Sequence, residues 1–453
     1  MTPSVHPPAW DYRSAFPGAV WPAIPEPAGA EILSLLFQLG RSQWLSADAL
    51  RAFQSRQLGL LLRHAWETVP FYREIRGTAP DLAGFAQLAL LTRRDIQDNF
   101  EALKSERTPV EHGQTSESRT SGATGAPVRV QKAQLSNLYW NALTLRDHLW
   151  HRRDLVRKLA VIRQGVTAAE AASWGPATEG LVATGPCVML PPASSIDEQL
   201  QWLVQQRPDY LLTYPSLVVE LARASLAGGI PLSGLLEVRT VGEQLDPEAR
   251  ALCRAAWGVA LTDMYSAQEV GYIALQCPDH EHYHVQSESV LVEVLDDEGR
   301  ACGPGRIGRV VVTDLHNFAM PLLRYDIGDY AEVGEPCPCG RGLPVLRRIV
   351  GRTRNTLVTA DGGRYWPLFG MRSATDFAPI VQHQFVQKTY DLIEARLVTA
   401  TPLTAQQEDR LRGLILSRLP DGFRVQFAYC DRIARSAGGK FEDFFSEVSA
   451  ASR

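Results

Sequence analysis

The chain has 453 residues, of which 45% are hydrophobic and 21% charged, a balance typical of a folded globular protein long enough for two or three domains. Its formal net charge of -4 leaves no excess of positive charge for a phosphate backbone, so a main role in nucleic-acid binding is excluded. No stretch approaches the roughly 20 consecutive apolar residues of a membrane helix, and the segment from Met1 to Pro27 lacks the regions of a signal peptide, so we expect a cytoplasmic protein without a membrane partner.

An amphipathic helix is predicted from Ala47 to Val69, because apolar residues recur at helical spacing and Pro70 ends the run. The segment from Ser105 to Val128 is rich in Ser, Thr, Gly and Pro, and we interpret it as a loop. The Trp-, His- and Arg-containing segment from Trp140 to Arg153 is interpreted as a solvated helix face, with an entrance for an anionic substrate as the alternative.

The middle of the chain alternates between helix and strand. A helix passes through Asp197, an apolar strand runs from Tyr210 to Tyr214, and a second helix starts at Ser216 and stops at Gly228 and Gly229. This alternation predicts an α/β layered core. Short β-branched runs between Val285 and Val333 then predict a β-rich subdomain.

The composition shifts again near Gly351, and a compact unit follows. A strand from Leu392 to Val398 precedes a helix opened by Thr404, with Gln407 in position to form a capping box, and a strand from Phe423 to Tyr429 comes next. We therefore predict a large N-terminal domain, residues 1–350, and a small α/β C-terminal domain, residues 351–453.

The loop from Thr120 to Pro127 combines hydroxyl side chains with two glycines. Hydroxyls donate hydrogen bonds, and glycines let backbone amides approach an anion closely, so the loop suits phosphate binding. It lacks the Gly-Lys-Ser/Thr ending of a Walker A motif. The alternative is an ordinary surface loop of the same composition.

Several short motifs follow this loop in order. They are Thr240-Val241-Gly242-Glu243, Met264-Tyr265-Ser266-Ala267-Gln268-Glu269, Leu323 to Asp329, Gly351-Arg352 and Gly438-Gly439-Lys440. Together with the loop they resemble the core motifs of the adenylate-forming enzyme superfamily, in its phenylacetate-CoA ligase and CapK-like branch. Residues 64–73 and 213–217 also resemble that branch. The resemblance implies an α/β fold with a large multi-layer adenylate-forming N-terminal domain and a small mobile C-terminal domain.

The resemblance also implies roles for individual residues. The loop residues would hold the β- and γ-phosphates of ATP: Thr120, Ser121, Gly122, Thr124 and Gly125. Glu269 would hold Mg²⁺, a cation that suits carboxylate and phosphate oxygens. Lys440 would be carried into the cleft by domain closure and offset charge on the α-phosphate.

The other implied contacts are to the nucleoside. Asp329 would accept hydrogen bonds from the ribose hydroxyls, and Arg352 would contact ribose or phosphate. The base would be bordered by Gly242, Glu243, Tyr265 and Ser266, with a position beside the acyl substrate as the alternative for Tyr265. Taken one at a time, each of these residues also has an ordinary structural interpretation: a turn aspartate, a core tyrosine, a solvated lysine or arginine.

A second constellation is typical of a metal site. Thiolates and imidazole are the ligands that Zn²⁺ selects, and four of them complete a tetrahedral structural site. We predict Cys277, His284, Cys337 and Cys339 as ligands. His280 or His282 could replace His284, and unliganded buried thiols are the alternative to zinc, because the Cys-x-Cys spacing is short.

The sequence departs from the family pattern at several positions. Ala123 and Ala126 remove one hydroxyl and one charge from the loop, Ser266 stands where glycine is usual, and Arg354 occupies the place of an acidic hinge residue. These departures leave open the second half-reaction of the family, the transfer of the acyl group to an acceptor.

The resemblance thus implies an ATP- and Mg²⁺-dependent enzyme that activates a carboxylic acid, first an aryl or arylacetic acid, and passes the acyl group to a thiol, first coenzyme A. One alternative is delivery to an amine or a carrier-protein thiol. Another is a nucleotide-binding, zinc-stabilised protein without turnover. A homodimer is left open.

Overall fold

The computed structural model describes residues 10–75, 80–120, 127–352, 355–361, 363–365, 374, 377–435 and 441–448. The chain divides into two compact units. The first covers residues up to 245 and 249–349, and the second covers residues 246–248 and those from 350 onward. In the described residues, no helix is both long enough and apolar enough to cross a bilayer.

The helices of the described residues are α1 Pro27–Ser42, α2 Ala47–Thr68, α3 Arg93–Asp98, α4 Gln134–Trp150, α5 Ile196–Gln206, α6 Pro215–Gly228, α7 Pro247–Trp257 and α8 Ala405–Leu416. The predicted helix starts near Ala47, Asp197, Ser216 and Thr404 are confirmed. Local chemistry explains them: Ser46, Ser195 and Thr404 each accept a hydrogen bond from an amide of the first turn.

The strands are β1 Thr115–Arg119, β2 Arg129–Ala133, β3 Leu159–Ile162, β4 Ala169–Ala171, β5 Cys187–Leu190, β6 Tyr210–Thr213, β7 Glu237–Val241, β8 Ala260–Ala267, β9 Gly271–Gln276, β10 Tyr283–Val285, β11 Val290–Leu295, β12 Ile307–Asp314, β13 Tyr325–Val333, β14 Val345–Arg352, β15 Leu357–Val358, β16 Arg364–Tyr365, β17 Ile380–Thr389, β18 Leu392–Thr399, β19 Arg424–Tyr429 and β20 Phe444–Ser446.

One large mixed sheet organises the first unit. Its order is β11-β12-β13-β14-β10-β9-β8-β7-β6-β3-β5-β4. Strands β5, β3, β6, β7 and β8 pair in parallel, with α5 and α6 as crossover helices, which confirms the predicted α/β core. The strands from β8 through β10 and from β11 through β13 pair antiparallel. The predicted β-rich region is thus the antiparallel end of this sheet.

The second unit contains a four-stranded sheet with the order β19-β18-β17-β20. Leu411 and Ile415 of α8 are buried with Phe385 and Ile393 of this sheet. The predicted strand-helix-strand succession is confirmed here, including the Thr404–Gln407 capping box.

Two predictions from local composition are wrong. The segment 105–128 is not entirely a loop, because Thr115–Arg119 forms β1 and pairs antiparallel with β2. The polar run Thr-Ser-Glu-Ser-Arg lies in an exposed hairpin, so it shows no apolar alternation. The segment 140–153 is not a solvated face, since Arg146, Asp147, His148 and Arg153 are buried. Ion pairs satisfy the charges of Arg146, Asp147 and Arg153, which composition alone does not reveal.

Candidate functional site

The candidate site lies at the carboxyl ends of the parallel strands of the large sheet. β7 ends at Val241 and is followed by Gly242 in the left-handed region, with φ of +84°. β8 ends at Ala267, and its pairing with β9 has an irregularity between Tyr265 and Ser266. Ligands of open α/β sheets bind at the carboxyl ends of the strands. The motif that contains Gly242 and the motif that contains Tyr265 both lie at these ends.

Tyr265 and Asp329 are in direct contact, although 64 positions separate them in the chain. The Tyr265 hydroxyl donates a hydrogen bond to Asp329 Oδ2 at 2.7 Å. Asp329 lies in β13 after Gly328, whose φ is +80°. The structure therefore brings two sequence-predicted site residues together, and the tyrosine fixes the orientation of the carboxylate.

Glu269 is buried in the turn between β8 and β9, with only 6% of its surface exposed. The Tyr325 hydroxyl lies 3.4 Å from Glu269 Oε1, and Arg93 Nη1 lies 3.7 Å from the same oxygen. Burial and the Glu269 charge raise the pKa of the Tyr325 phenol, so this phenol stays a hydrogen-bond donor.

The base of the predicted phosphate loop is closed by Thr120 and Val128. The Thr120 amide donates to the Val128 carbonyl and the Val128 amide donates to Thr120 Oγ1, both at 2.9 Å. Arg93 Nη2 lies 3.4 Å from the same hydroxyl. Ser121, Gly122, Thr124 and Gly125, predicted to bind phosphate, lie outside the described residues, and so does Lys440.

Arg93 is a candidate that the sequence analysis missed. Its guanidinium lies between Thr120 and Glu269, two residues that were predicted on separate motifs. It is the first residue of α3, whose capping box is formed by Thr92 and Asp95. The capping signal predicts a helix start, but nothing local distinguishes Arg93 from Arg94, so only the fold identifies it.

Glu243 and Arg352 were predicted to contact the nucleotide. Glu243 Oε2 accepts a hydrogen bond from the Ser216 amide at 3.0 Å, at the N-terminal end of α6. Its carboxylate is therefore oriented by the helix, where a negative charge is favoured. Arg352 ends β14 and belongs to the second unit.

The four predicted metal ligands come together in the first unit. The ligand atoms of Cys277, His284, Cys337 and Cys339 all lie within 4.8 Å of one another. Cys277 Sγ is 3.8 Å from Cys337 Sγ, and Cys339 Sγ is 3.5 Å from His284 Nε2. Three thiols and one imidazole at this spacing fit a tetrahedral zinc site.

The structure also distinguishes among the three histidines. β10 begins at Tyr283, so His284 lies in the strand and His282 precedes it. His282 and His280 are absent from the cluster of the described residues. Burial lowers the pKa of His284 to about 4, with the charges of His282 and Arg341 acting in the same direction, so the imidazole is neutral at pH 7 as a metal ligand must be.

Comparisons with known proteins agree with this geometry. The family model described as "AMP-binding enzyme" matches residues 119–320. A phenylacetate-coenzyme A ligase from Thermus thermophilus is 29% identical over 340 residues, covering 69% of this chain and 73% of the relative. The phenylacetate-coenzyme A ligase of Escherichia coli K12 is 25% identical over 430 residues, covering 87% and 94%.

A solved structure shows the same fold. The crystal structure of 2-hydroxyisobutyryl-CoA ligase, in the postadenylation state with R3-HIB-AMP, superimposes with a TM-score of 0.71 at 19% identity. The superposition covers 90% of this chain and 92% of the other.

Proposed function

We propose that the chain is an AMP-forming ligase of the adenylate-forming enzyme superfamily, which joins an aryl or arylacetic acid to AMP and then transfers the acyl group to coenzyme A. The observation that carries the proposal is the convergence of Tyr265 with Asp329 and of Arg93 with Thr120 and Glu269 at one sheet edge. The acid class and the acceptor are taken from the relatives' names.

Nucleoside binding is assigned to Asp329 and the motif around Tyr265. A carboxylate accepts hydrogen bonds from two neighbouring ribose hydroxyls, and the hydrogen bond from Tyr265 orients that carboxylate before the nucleotide arrives. Gly242 and Ser266 would border the base with Tyr265, and Glu243 would do so from its position at α6. Arg352 would contact the ribose or phosphate.

Triphosphate binding is assigned to the loop that begins at Thr120, with Arg93 beside it. Arg93 is held 3.4 Å from Thr120 Oγ1 and 3.7 Å from Glu269 Oε1, so its charge would offset that of the phosphates. The Glu269 carboxylate is an oxygen ligand that suits Mg²⁺, which when bound neutralises phosphate charge. Lys440 would supply a further positive charge at the α-phosphate.

In the first half-reaction, an oxygen of the substrate carboxylate attacks the α-phosphorus, and the bond from phosphorus to the pyrophosphate oxygen breaks. Negative charge builds on the α-phosphate oxygens, and fixed cations that already point there lower the barrier without reorganising. In the second half-reaction a thiolate attacks the acyl carbon, the carbon–oxygen bond breaks, and AMP leaves with the acid's oxygen.

A structural zinc ion is the second part of the proposal, with Cys277, His284, Cys337 and Cys339 as its ligands. The three-thiol and one-imidazole set supports zinc over other common divalent ions. Next to the cluster, the Gly342 amide donates to the Gln43 carbonyl at 2.9 Å, and Arg341 lies between the rings of Trp44 and Trp150. The ion would thus hold the segment between α1 and α2 against the sheet.

The zinc proposal is tested by metal content after purification under reducing conditions. We expect one zinc per chain in the wild type, with Cys337→Ser losing zinc and unfolding at a lower temperature. Cys253→Ser is the matched control, because Cys253 is a buried thiol in another core cluster. A wild-type chain that takes up no zinc even on reconstitution would contradict the assignment.

Adenylation is tested by acid-dependent exchange between ATP and labelled pyrophosphate, with panels of aryl, arylacetic and aliphatic acids. Acyl-CoA formation after addition of coenzyme A would support the full proposal. Exchange with product formation only on addition of an amine or a carrier protein would favour that alternative. ATP binding without exchange for any acid would support the nucleotide-binding protein without turnover.

A further inference from the structure

Lys132 is a lysine whose position in β2 directs it inward. Val128 and Val130 are wholly buried, and alternation along a strand places Lys132 on their face. The other face is the outer one, where Arg129 pairs with Glu117 and Gln131 donates to Thr115 Oγ1. The Lys132 side chain is partly buried, so it lies against the unit rather than extending freely into solvent.

The segment that follows β12 lies beside Lys132. The Gln131 amide contacts Met320 Sδ at 3.3 Å, and the Gln131 carbonyl accepts a hydrogen bond from Asn317 at 2.9 Å. Asp314, at the end of β12, is buried, and its Oδ1 accepts a hydrogen bond from the His316 amide at 3.1 Å. The negative charges of Asp314 and Glu269 both act on the Lys132 amine and oppose the effect of burial on its pKa.

The start of α4 covers this place. The Tyr139 ring stacks on His316 at 3.8 Å, and the Trp140 ring stacks on Tyr272 at 4.2 Å. Tyr272 is paired with Ser266 across strands β8 and β9. Helix α4 therefore contacts both the segment that follows Asp314 and the strand pair whose turn carries Glu269. Ser136, one helical turn before Trp140, has a buried hydroxyl without a hydrogen-bond partner among the described residues.

The charges here are not paired with one another. Within the part of the chain that the structure describes, Lys132 Nζ makes no hydrogen bond, and no carboxylate oxygen lies within 4.0 Å of it. An ammonium that is partly removed from water is stabilised by a partner, and a donor and an acceptor that do not reach each other can be bridged by one group that both accepts and donates. A hydroxyl bridges nitrogen and oxygen atoms up to about 5.5 Å apart.

We propose that Lys132 and Asp314 bind a hydroxyl group of the acyl substrate, so that the enzyme prefers hydroxylated acids to their deoxy counterparts. This inference rests on the proposed adenylation at the same site. An ionised substituent on the substrate would be attracted by one of these two groups and repelled by the other, whereas a neutral hydroxyl can accept from Lys132 and donate to Asp314. An apolar substituent would leave the amine and the carboxylate unpaired, which a site built for a hydroxyl penalises strongly.

The test measures kcat/KM of pyrophosphate exchange for acids with and without a hydroxyl: phenylacetate with its 3- and 4-hydroxy derivatives, benzoate with its hydroxy derivatives, and aliphatic acids with theirs. We expect the best hydroxylated acid to exceed its deoxy parent by at least about 10-fold in the wild type. Lys132→Met should remove that ratio, because the hydroxyl loses its donor and the deoxy parent no longer leaves an amine unpaired, and Lys132→Arg should restore part of it.

Lys158→Met is the matched control, since Lys158 is also partly buried but has a partner in Gln206 Oε1 at 2.8 Å. It should leave the ratio unchanged. Exchange that is equal for hydroxylated and deoxy acids, or a Lys132→Met variant that slows both equally, would overturn the inference and leave the proposed function standing. A lower unfolding temperature with an unchanged ratio would assign Lys132 a structural role only. No exchange with any acid would instead overturn the proposed function.

Discussion

Two groups of buried charges lie near opposite ends of the parallel strands of the large sheet, and they differ in how the charges are paired. Near the amino ends of β7 and β8, Arg153 donates to Glu237 and Asp147 at 2.6–2.8 Å and to Thr262 at 3.1 Å. Arg239 completes the network with a 2.8 Å hydrogen bond to Asp147. Near the carboxyl ends, Lys132 has no ion pair among the described residues.

This difference in pairing distinguishes charges with a structural role from charges with a role in ligand binding. Desolvating a charge is costly, and a protein compensates either with its own partners or with those of a ligand. In the Arg153 network two arginines, Arg153 and Arg239, face two carboxylates, Asp147 and Glu237, so the charges balance within the protein. Lys132 has no such partner among the described residues, and a bound acid would supply one. Four substitutions test this contrast.

The largest effect is expected from Arg153→Met. It leaves Asp147 and Glu237 buried with too few positive partners, so we expect a loss of about 3–5 kcal/mol in the free energy of unfolding. Thermal or urea unfolding measures it. Arg51→Met is the control, because the Arg51–Asp48 pair is exposed and should contribute nothing measurable. A stable Arg153→Met protein would show that the network is dispensable.

The next largest effect is expected from Glu269→Gln, and it concerns rate rather than stability. The amide keeps the shape and can still accept from Tyr325, but it removes the charge at the proposed triphosphate site. We expect acid-dependent exchange to fall about 100-fold or more, with the unfolding temperature nearly unchanged. Glu298→Gln, at an exposed turn, is the control. Equal activity of the two variants would remove Glu269 from the site.

A smaller effect is expected from Tyr265→Phe. The ring remains, but Asp329 loses a hydrogen bond of 2.7 Å, and a hydrogen bond to a charged group contributes enough to change binding about 10-fold. We expect the KM for ATP to rise by about that factor while the KM for the acid changes little. Steady-state kinetics with each substrate varied in turn measures both, and a rise only for the acid would assign Tyr265 to the acyl pocket.

The smallest effect on stability is expected from Lys132→Met. An unpaired buried ammonium contributes little to the folded state, so its replacement by an apolar side chain of similar length should change the free energy of unfolding by less than about 1 kcal/mol. The unfolding experiment used for Arg153→Met applies here. A loss as large as that of Arg153→Met would erase the distinction between the two groups.

Local patterns predicted the elements, and chemistry predicted part of the site. The capping residue Thr404, the stop at Gly229 and the helical spacing from Ala47 act within a few residues, so the sequence shows them directly. The cluster of Cys277, His284, Cys337 and Cys339 was predictable because few side-chain types bind zinc. Superfamily motifs predicted Tyr265, Glu269 and Asp329, although not the contact between Tyr265 and Asp329.

What the sequence could not predict depends on long-range packing. Arg93 reaches Thr120 and Glu269 only because α3 packs near β13. Arg153 is buried because Glu237 arrives from a strand 84 positions later. Lys132 looks like the ordinary polar member of a strand, and only the burial of Val128 and Val130 shows that it faces inward. The polar strand β1 carries no apolar signal at all.

The most direct test of acyl-adenylate formation follows an oxygen atom of the substrate carboxylate. A carboxylic acid labelled with ¹⁸O in its carboxylate is incubated with ATP, Mg²⁺ and coenzyme A, and the nucleotide product is analysed by mass spectrometry. Attack of the carboxylate on the α-phosphorus predicts one ¹⁸O atom in AMP, together with unlabelled pyrophosphate. Unlabelled AMP, or ¹⁸O in inorganic phosphate beside ADP, would contradict acyl-adenylate formation.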